Sequence, residues 1–317
     1  MEKFKALFYK IHNDYYRWYD FLLILPVVFF VLLLAGEIAG QLLFNLLIIP
    51  NMGLDDLAFN TAVTRYGQTI GSWIVLIVFL LIIKPDRPVL KTFWKKYKGN
   101  TVLFFLLGLL VGGGMNVFCA IVAMLNKDIA VYFNRFQFFK VFVVFVMVFF
   151  QSGSEEILCR GFLYQRLRRS FRLPWVAIIG NALVFGALHL LNPDVSFLGF
   201  LNIVLFGVFM ALMIYYYESM WMAIAVHTGW NYMQSIVLGL PNSGLVFDFS
   251  IFKLDVASAT NSFAYNVGFG IEGTVLSSVV LAVGIVVIVL LGKKRKGDNL
   301  WVVGETVFPK VKEQIAE

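Results

Sequence analysis

Two adjacent glutamates stand at the end of a strongly apolar stretch, with an arginine one helical turn later. They are Glu155, Glu156 and Arg160. Glu156 and Arg160 are four residues apart, so on a helix they share a face and can form an ion pair. Glu155 points about 100° away and is left for another partner. Solvated charges at a helix end are the alternative, disfavoured because apolar residues resume at Phe162. A desolvated carboxylate of this kind suits a general base that activates water.

Two of the three histidines lie within later apolar segments. One is His189, and the other, His227, precedes Asn231 by four residues, so that these two share a helix face. Ionisable residues inside membrane helices are costly and mark functional sites by default. The alternatives are a hydrogen-bonded packing histidine and interhelical polar contacts. A glutamate, two histidines and an asparagine around one cavity would indicate hydrolysis.

The spacing about one predicted turn brings Glu155 and His189 to the same depth. Residues 171–174 contain Arg172 and Pro174 and should reverse the chain. Glu155 lies 17 residues before Arg172, and His189 lies 17 residues after it. At 1.5 Å of rise per residue, both sit roughly 20–25 Å from the turn in an antiparallel hairpin. We therefore expect the two side chains to face each other.

The composition identifies the class of protein that must position these residues. Of 317 residues, 60% are hydrophobic and 14% are charged, which is too apolar for a soluble domain of this length. We predict an all-α integral membrane protein with about eight transmembrane helices in one bundle. The predicted spans are 21–47, 67–83, 101–125, 138–169, 174–191, 197–217, 220–240 and 272–292. The two cysteines have no metal-ligand spacing, and we expect no disulfide.

The net charge of +7 is explained by topology, and no nucleic-acid partner is expected. With both termini cytoplasmic, 20 of the 26 lysines and arginines fall inside, in the segments 3–17, 84–98, 166–172 and 293–312. Arg160 belongs to the candidate site. The five cations placed outside are Arg65, Lys127, Arg135, Lys140 and Lys253. This bias favours an even number of spans. Together with the lack of a cleavable signal sequence, it favours a bacterial-type plasma membrane.

Three regions follow from these assignments. Residues 1–135 form an N-terminal three-span region, 136–240 a catalytic core, and 241–317 an outer loop, the last span and a cytoplasmic tail. The outer segment 241–271 is long for a connector and is expected to cap or gate the bundle. Gly108 and Gly112 predict close helix packing. Glu37 is a lone acid in the first span, where it either lines a cavity or pairs with a donor.

The sequence resembles the CPBP family, which comprises CAAX proteases and bacteriocin-processing enzymes and is also called Abi. The family motifs are E-E-x-x-x-R, F-x-x-x-H and H-x-x-x-N, and the resemblance covers roughly residues 140–240. All three motifs occur in order, each in an apolar helix, as Glu155-Glu156…Arg160, Phe185…His189 and His227…Asn231.

The resemblance implies a helical membrane fold and endopeptidase activity on a membrane-associated or lipidated peptide or protein. It also implies that Glu155 activates a water molecule that His189 helps to hold. His227 and Asn231 would stabilise the oxyanion, and Glu156 and Arg160 would support the base. Because fixed donors to a developing oxyanion are each worth about 3–4 kcal/mol of barrier, this assignment is chemically consistent.

The same residues do not decide whether the enzyme uses a metal ion. Glu155, His189 and His227 are the set that would hold zinc if the enzyme used it. We favour a metal-free mechanism with no cofactor, because His-Glu-x-x-His is absent and one glutamate cannot easily be both ligand and base.

Two other functions compete with proteolysis. A proton- or cation-coupled transporter could use the same glutamate and histidines, although no paired repeats are evident. A non-catalytic scaffold or immunity protein could retain the fold, although it would not require Glu155, His189, His227 and Asn231 together. The motifs specify neither the substrate, nor whether it is prenylated, nor the oligomeric state.

Overall fold

The structure is a computed structural model that describes residues 11–13, 15–53, 55–94 and 99–293. The predicted cytoplasmic tail at 297–317 lies outside these residues. So do the predicted inside cations within 1–10, 95–98 and 294–317.

The described part of the chain is mostly helical. Its α-helices are α1 (Ile24–Leu43), α2 (Leu57–Gly67), α3 (Ile70–Ile82), α4 (Val102–Leu125), α5 (Phe138–Glu156), α6 (Tyr164–Ser170), α7 (Pro174–Leu188), α8 (Phe197–Tyr217), α9 (Met220–Tyr232) and α10 (Val275–Gly292). Wider π-helical turns cover Phe44–Ile48, Ile157–Leu163 and Met233–Val237, and 3₁₀ turns cover Trp18–Asp20, Ile49–Asn51, Lys84–Phe93, Val256–Ser258 and Ile271–Gly273. Two short strands, β1 (Ala130–Phe133) and β2 (Phe252–Asp255), pair antiparallel.

Short polar residues cap the start of several helices. Their side-chain oxygens accept the backbone N–H group three residues ahead, which has no partner within the helix. The capping residues are Asp56 for α2, Thr101 for α4, Ser196 for α8, Ser219 for α9 and Thr274 for α10. α7 instead begins with Pro174 in its first turn, directly after the predicted reversal at 171–174.

The predicted helical membrane bundle is confirmed, whereas eight spans are not. Among the described residues, six helical segments are long and apolar enough to cross a membrane: 24–51, 57–82, 102–125, 138–170, 197–217 and 275–292. The predicted span 174–191 is the 15-residue helix α7. At 1.5 Å per residue, this helix falls short of a hydrocarbon core of about 30 Å. The predicted span 220–240 is α9 with its π-helical extension, and almost all of its side chains are buried by protein.

α9 lies at the centre of the bundle and packs most closely against α4. Glycines make this approach possible, because a Cβ atom on Gly108 or Gly112 would collide with the backbone of Met222 or Val226. On the other side of the contact, a Cβ atom on Gly229 would meet the α4 backbone. The predicted role of Gly108 and Gly112 in helix packing is therefore confirmed, and it fixes the helix that carries His227.

A buried ionic cluster holds the end of the bundle at which α6 stops. Asp20 accepts hydrogen bonds from Arg166 at 2.8 Å, from Arg169 at 2.6 Å and from Ser170 at 2.7 Å. Arg169 also donates to Asp86 at 2.9 Å. These side chains are nearly inaccessible to solvent, so each charge depends on its partners. The cluster ties the segments 18–20 and 84–93 to α6.

The segment 241–271 covers the opposite end of the bundle. It is anchored where β2 pairs with β1 and where Ser262 donates to Asp128 at 2.5 Å. Its side chains Phe249, Tyr265 and Phe269 are fully buried against the helices. These contacts agree with the predicted cap.

The predicted orientation can be tested by cysteine labelling. Both native cysteines are buried, so they give little background. Asp248→Cys places a thiol on the cap, where the aspartate side chain is 80% exposed, and Lys293→Cys places one at the exposed end of α10. In intact cells, a membrane-impermeant maleimide should label the variant at 248 and should label the variant at 293 only after permeabilisation. The reverse pattern would show that the orientation is inverted.

Candidate active site

One cavity of about 430 Å³ brings together the side chains that the sequence motifs single out. Glu155, His189, His227 and Asn231 all line it, from α5, the end of α7 and α9. It lies beside the junction of α2 and α3 and beneath the turn of the cap at 242–245. The expectation that Glu155 and His189 meet at a common depth agrees with this placement.

A change of helix type positions the two glutamates. α5 ends at Glu156 and continues as the π-helical segment Ile157–Leu163, which contains Arg160. Such wide turns are frequent at functional sites because they redirect side chains from the regular helical spacing. Arg160 Nη1 donates to Glu156 Oε1 at 3.0 Å, and both side chains are fully buried. The predicted pairing of these two residues is therefore present.

The Glu156 carboxylate also binds His227. Its Oε1 atom lies 2.9 Å from His227 Nδ1, and a carboxylate held by an arginine can only accept, so Nδ1 carries a proton. This contact directs Nε2 of the ring towards Glu155, whose Oε2 atom is 3.8 Å away. Arg160 donates with its other nitrogen to the carbonyl of Gly207 at 3.1 Å. Its guanidinium also lies 4.5 Å from the centre of the Phe185 ring.

Glu155 has one engaged and one available oxygen. Gln151 Nε2 donates to Oε1 at 2.5 Å, whereas Oε2 accepts no hydrogen bond from any described residue. The side chain is 22% exposed, to the cavity that it lines. Oε2 lies 3.8 Å from His227 Nε2, so the two atoms approach each other beside the cavity without a direct hydrogen bond.

His189 is held by its own helix. It directly follows α7 as the C-cap residue, and its Nδ1 atom lies 2.9 Å from the carbonyl oxygen of Phe185. Because a carbonyl only accepts, Nδ1 carries the proton and Nε2 is left as an acceptor. α7 ends at Leu188, before residue 191, at which the predicted span ends. Asn192 donates to the carbonyl of Ser243 in the cap.

Asn231 links α5 to the cap. Its amide nitrogen donates to Gln151 Oε1 at 3.1 Å and to Ser152 Oγ at 3.3 Å, and its amide oxygen accepts from Asn242 at 3.1 Å. The donors predicted for an oxyanion are thus occupied by neighbouring side chains, so Asn231 must turn, or Gln151 must move, before it can serve that role.

A third acid of the site, Glu272, was assigned no role from the sequence. It lies in the 3₁₀ turn before α10 and accepts from Trp230 Nε1 at 3.0 Å, from Ser243 N at 2.5 Å and from Ser243 Oγ at 2.8 Å. Burial raises the pKa of Glu272, and the hydrogen bonds from Ser243 oppose that rise. The sequence does not single out Glu272, because it is the first residue of the predicted span 272–292, where an acid is expected at the membrane surface.

Glu37 lines the same cavity from α1. Of the two expectations for this residue, cavity lining is the one observed. It makes no hydrogen bond or ion pair with any described residue, and it lies near enough to Glu155 for their charges to interact.

The zinc alternative does not fit the side chains as they stand. Zinc requires three protein ligands at about 2.0–2.2 Å from one point. Across the described residues, no three histidine, cysteine, aspartate or glutamate side chains converge in this way. Glu155 and His227 approach each other, but His189 does not complete a ligand set with them.

Comparison with known proteins agrees with the motifs. Residues 137–233 match the family model described as type II CAAX prenyl endopeptidase Rce1-like. This match confirms the resemblance to the CPBP and CAAX proteases, and it supports a CAAX-type intramembrane protease in general. No curated protein and no solved structure matches the chain significantly.

The buried pair of Glu156 and Arg160 predicts a large stability effect. Arg160→Gln leaves a buried carboxylate without its cation, so the free energy of unfolding should fall by about 3–5 kcal/mol. Lys253→Gln is the matched control, because it removes one partner of an exposed ion pair with Asp248, and such pairs contribute about 0–1 kcal/mol. Unfolding in mixed micelles measures both. Equal losses of unfolding free energy in the two variants would contradict a stabilising role for the buried pair.

Proposed function

We propose that this chain is an intramembrane endopeptidase that hydrolyses a peptide bond in a membrane-associated or lipidated protein or peptide. The observation that carries the proposal is the single cavity lined by Glu155, His189, His227 and Asn231. The family match over 137–233 supports the reaction class.

In the proposed first step, Glu155 is the general base. Its available Oε2 atom accepts one proton of a water molecule, and Nε2 of His189 accepts a hydrogen bond from the other. The remaining lone pair of the water attacks the carbonyl carbon of the substrate and forms a tetrahedral intermediate. Gln151 holds the second oxygen of Glu155, which fixes the direction of the base. General-base catalysis by a positioned carboxylate contributes about 10²–10⁴-fold to the rate.

His227 is the proposed oxyanion donor. With Nδ1–H bound to Glu156, its imidazolium form donates from Nε2 into the cavity. Glu156 stabilises that form as its anionic partner, and Arg160 holds the Glu156 carboxylate in place. Asn231 adds a second donor once its amide turns away from Gln151 and Ser152. The proton taken up by Glu155 then passes to the leaving nitrogen as the carbon–nitrogen bond breaks, which regenerates the carboxylate.

The proposed substrate enters from the end of the bundle that carries the cap. The lining of the cavity includes Arg65 in the last turn of α2, Thr69 between α2 and α3, and Ser243 and Leu245 in the cap. The arginine-rich segment 166–172 contributes no lining residue. In the predicted orientation, this entrance lies in the extracytoplasmic half of the membrane.

Replacing the proposed base should abolish cleavage without unfolding the protein. Glu155→Gln keeps the shape and the Gln151 contact region but cannot accept a proton, so kcat should fall by about 10²-fold or more. The assay uses protein in proteoliposomes with matched farnesylated and unmodified fluorogenic peptides. Asp248→Asn, an exposed acid on the cap, is the control and should cleave normally.

The same variant separates the competing functions. If the Glu155→Gln variant cleaved the peptides at the wild-type rate, the proposed role of Glu155 as the general base would be refuted. No cleavage by either protein, together with a proton or cation flux that Glu155→Gln removes, would favour a transporter. An unchanged cellular phenotype in Glu155→Gln would favour a scaffold.

Metal analysis tests the metal-free mechanism. Because no three candidate ligands converge, purified active protein should contain zinc well below one equivalent and should keep its activity after dialysis against a zinc chelator. One equivalent of zinc, with activity lost on chelation and restored by zinc alone, would overturn the metal-free mechanism.

A further inference from the structure

We propose that Glu37 determines substrate specificity by binding a cationic side chain, lysine or arginine, close to the peptide bond that is cut. This inference rests on the proposed endopeptidase function and names the chemistry of its substrate. No family motif of the sequence includes this residue.

The packing of α1 against α3 places Glu37 at the cavity. Gly36 and Gly40 flank it in sequence, and a Cβ atom on either would collide with Ser72 or with the backbone of Gln68 and Gly71. The two helices therefore meet nearly backbone to backbone. Glu37 lies within this seam, and its half-buried side chain lines the cavity. The glycines thus fix the backbone position from which the Glu37 side chain reaches the cavity.

No described residue of the protein neutralises Glu37. It accepts no hydrogen bond and forms no ion pair with any described residue, although it lies inside a membrane-spanning helix. Charged side chains at this depth are costly and normally pair with each other or serve a function. The like charge of Glu155 adds repulsion instead of relief. A cation supplied by the substrate would satisfy Glu37 and reduce that repulsion.

The charge of the cavity has the sign that such a substrate requires. Three acids line the cavity, Glu37, Glu155 and Glu272, against Arg65, the only lysine or arginine among the described lining residues, and the proposed imidazolium of His227. Arg65 is exposed and lies over the ring of Phe247, 5.7 Å from its centre. A concave site with excess negative charge attracts cations and disfavours acidic ligands.

Glu272 and Glu155 are already committed. Glu272 accepts from Trp230 and from Ser243, and Glu155 is held by Gln151 for its proposed role as the base. Glu37 is therefore the carboxylate of the cavity with its full hydrogen-bonding capacity left for a ligand.

Peptide binding tests this assignment directly. Full-length protein in lipid nanodiscs is titrated into fluorescein-labelled heptapeptides, and anisotropy gives Kd. The peptides form pairs that differ only by lysine or norleucine at one position, since norleucine keeps the aliphatic chain and lacks the ammonium group. At one position, the lysine peptide should bind about tenfold more tightly than its norleucine partner.

The variants identify the carboxylate responsible. Glu37→Gln should reduce the lysine preference to about one while leaving norleucine affinity unchanged, and Glu37→Lys should shift the preference to a glutamate peptide. Glu37→Asp keeps the charge and should retain part of the preference, which covers the case in which Glu37→Gln folds poorly. Asp248→Asn is the control and should keep the full preference.

Three outcomes would overturn the inference. They are no lysine preference at any position in the wild-type protein, an unchanged preference in both Glu37→Gln and Glu37→Asp, and no binding of any peptide. Because binding does not require cleavage, the absence of a lysine preference in the wild-type protein refutes this inference alone. Failure of the endopeptidase function is judged separately, by cleavage with Glu155 intact and replaced.

Discussion

The arrangement of the site depends on one buried carboxylate. Glu156 lies in the apolar interior and shares a single oxygen between Arg160 and His227. Removed from water, such a charge is costly without partners, so the contacts of Oε1 with Arg160 and His227 hold the three side chains together. This arrangement also affects the cavity, because the hydrogen bond from His227 Nδ1 to Glu156 directs His227 Nε2 towards Glu155. The same carboxylate therefore forms the buried ion pair with Arg160 and sets the orientation of the His227 ring.

Contacts at both ends of the helical bundle hold the helices around this carboxylate. At the arginine-rich end, the cluster around Asp20 ties α6 to the segments before α1 and after α3. At the other end, the cap reaches the site through Asn242 and Ser243, which contact Asn231 and Glu272. Between them, the glycine contacts of α4 with α9 fix the depth of His227. Through Asn242, the cap also holds the Asn231 amide in its present direction.

Local spacing predicted those parts of the site that depend on a single helix or a single turn. The pair of Glu156 and Arg160 follows from four-residue spacing, and the common cavity of Glu155 and His189 agrees with equal distances from one turn. The contact of Glu156 with His227 joins residues 71 positions apart, and no local pattern encodes it. Eight spans are not confirmed, because the sequence of 174–191 and 220–240 does not show where each α-helix ends. α7 has 15 residues and α9 has 13, and neither is among the helices of the described residues that are long and apolar enough to cross a membrane.

The protonation and hydrogen bonding of His227 are the most direct test that Glu156 organises the site. Solid-state ¹⁵N NMR of histidine-labelled protein in lipid bilayers resolves the two ring nitrogens of each histidine. We predict a protonated Nδ1 of His227 in a strong hydrogen bond that is lost in Glu156→Gln, while the signals of His189 stay unchanged. An unprotonated Nδ1 of His227, or a spectrum that Glu156→Gln does not alter, would contradict the account.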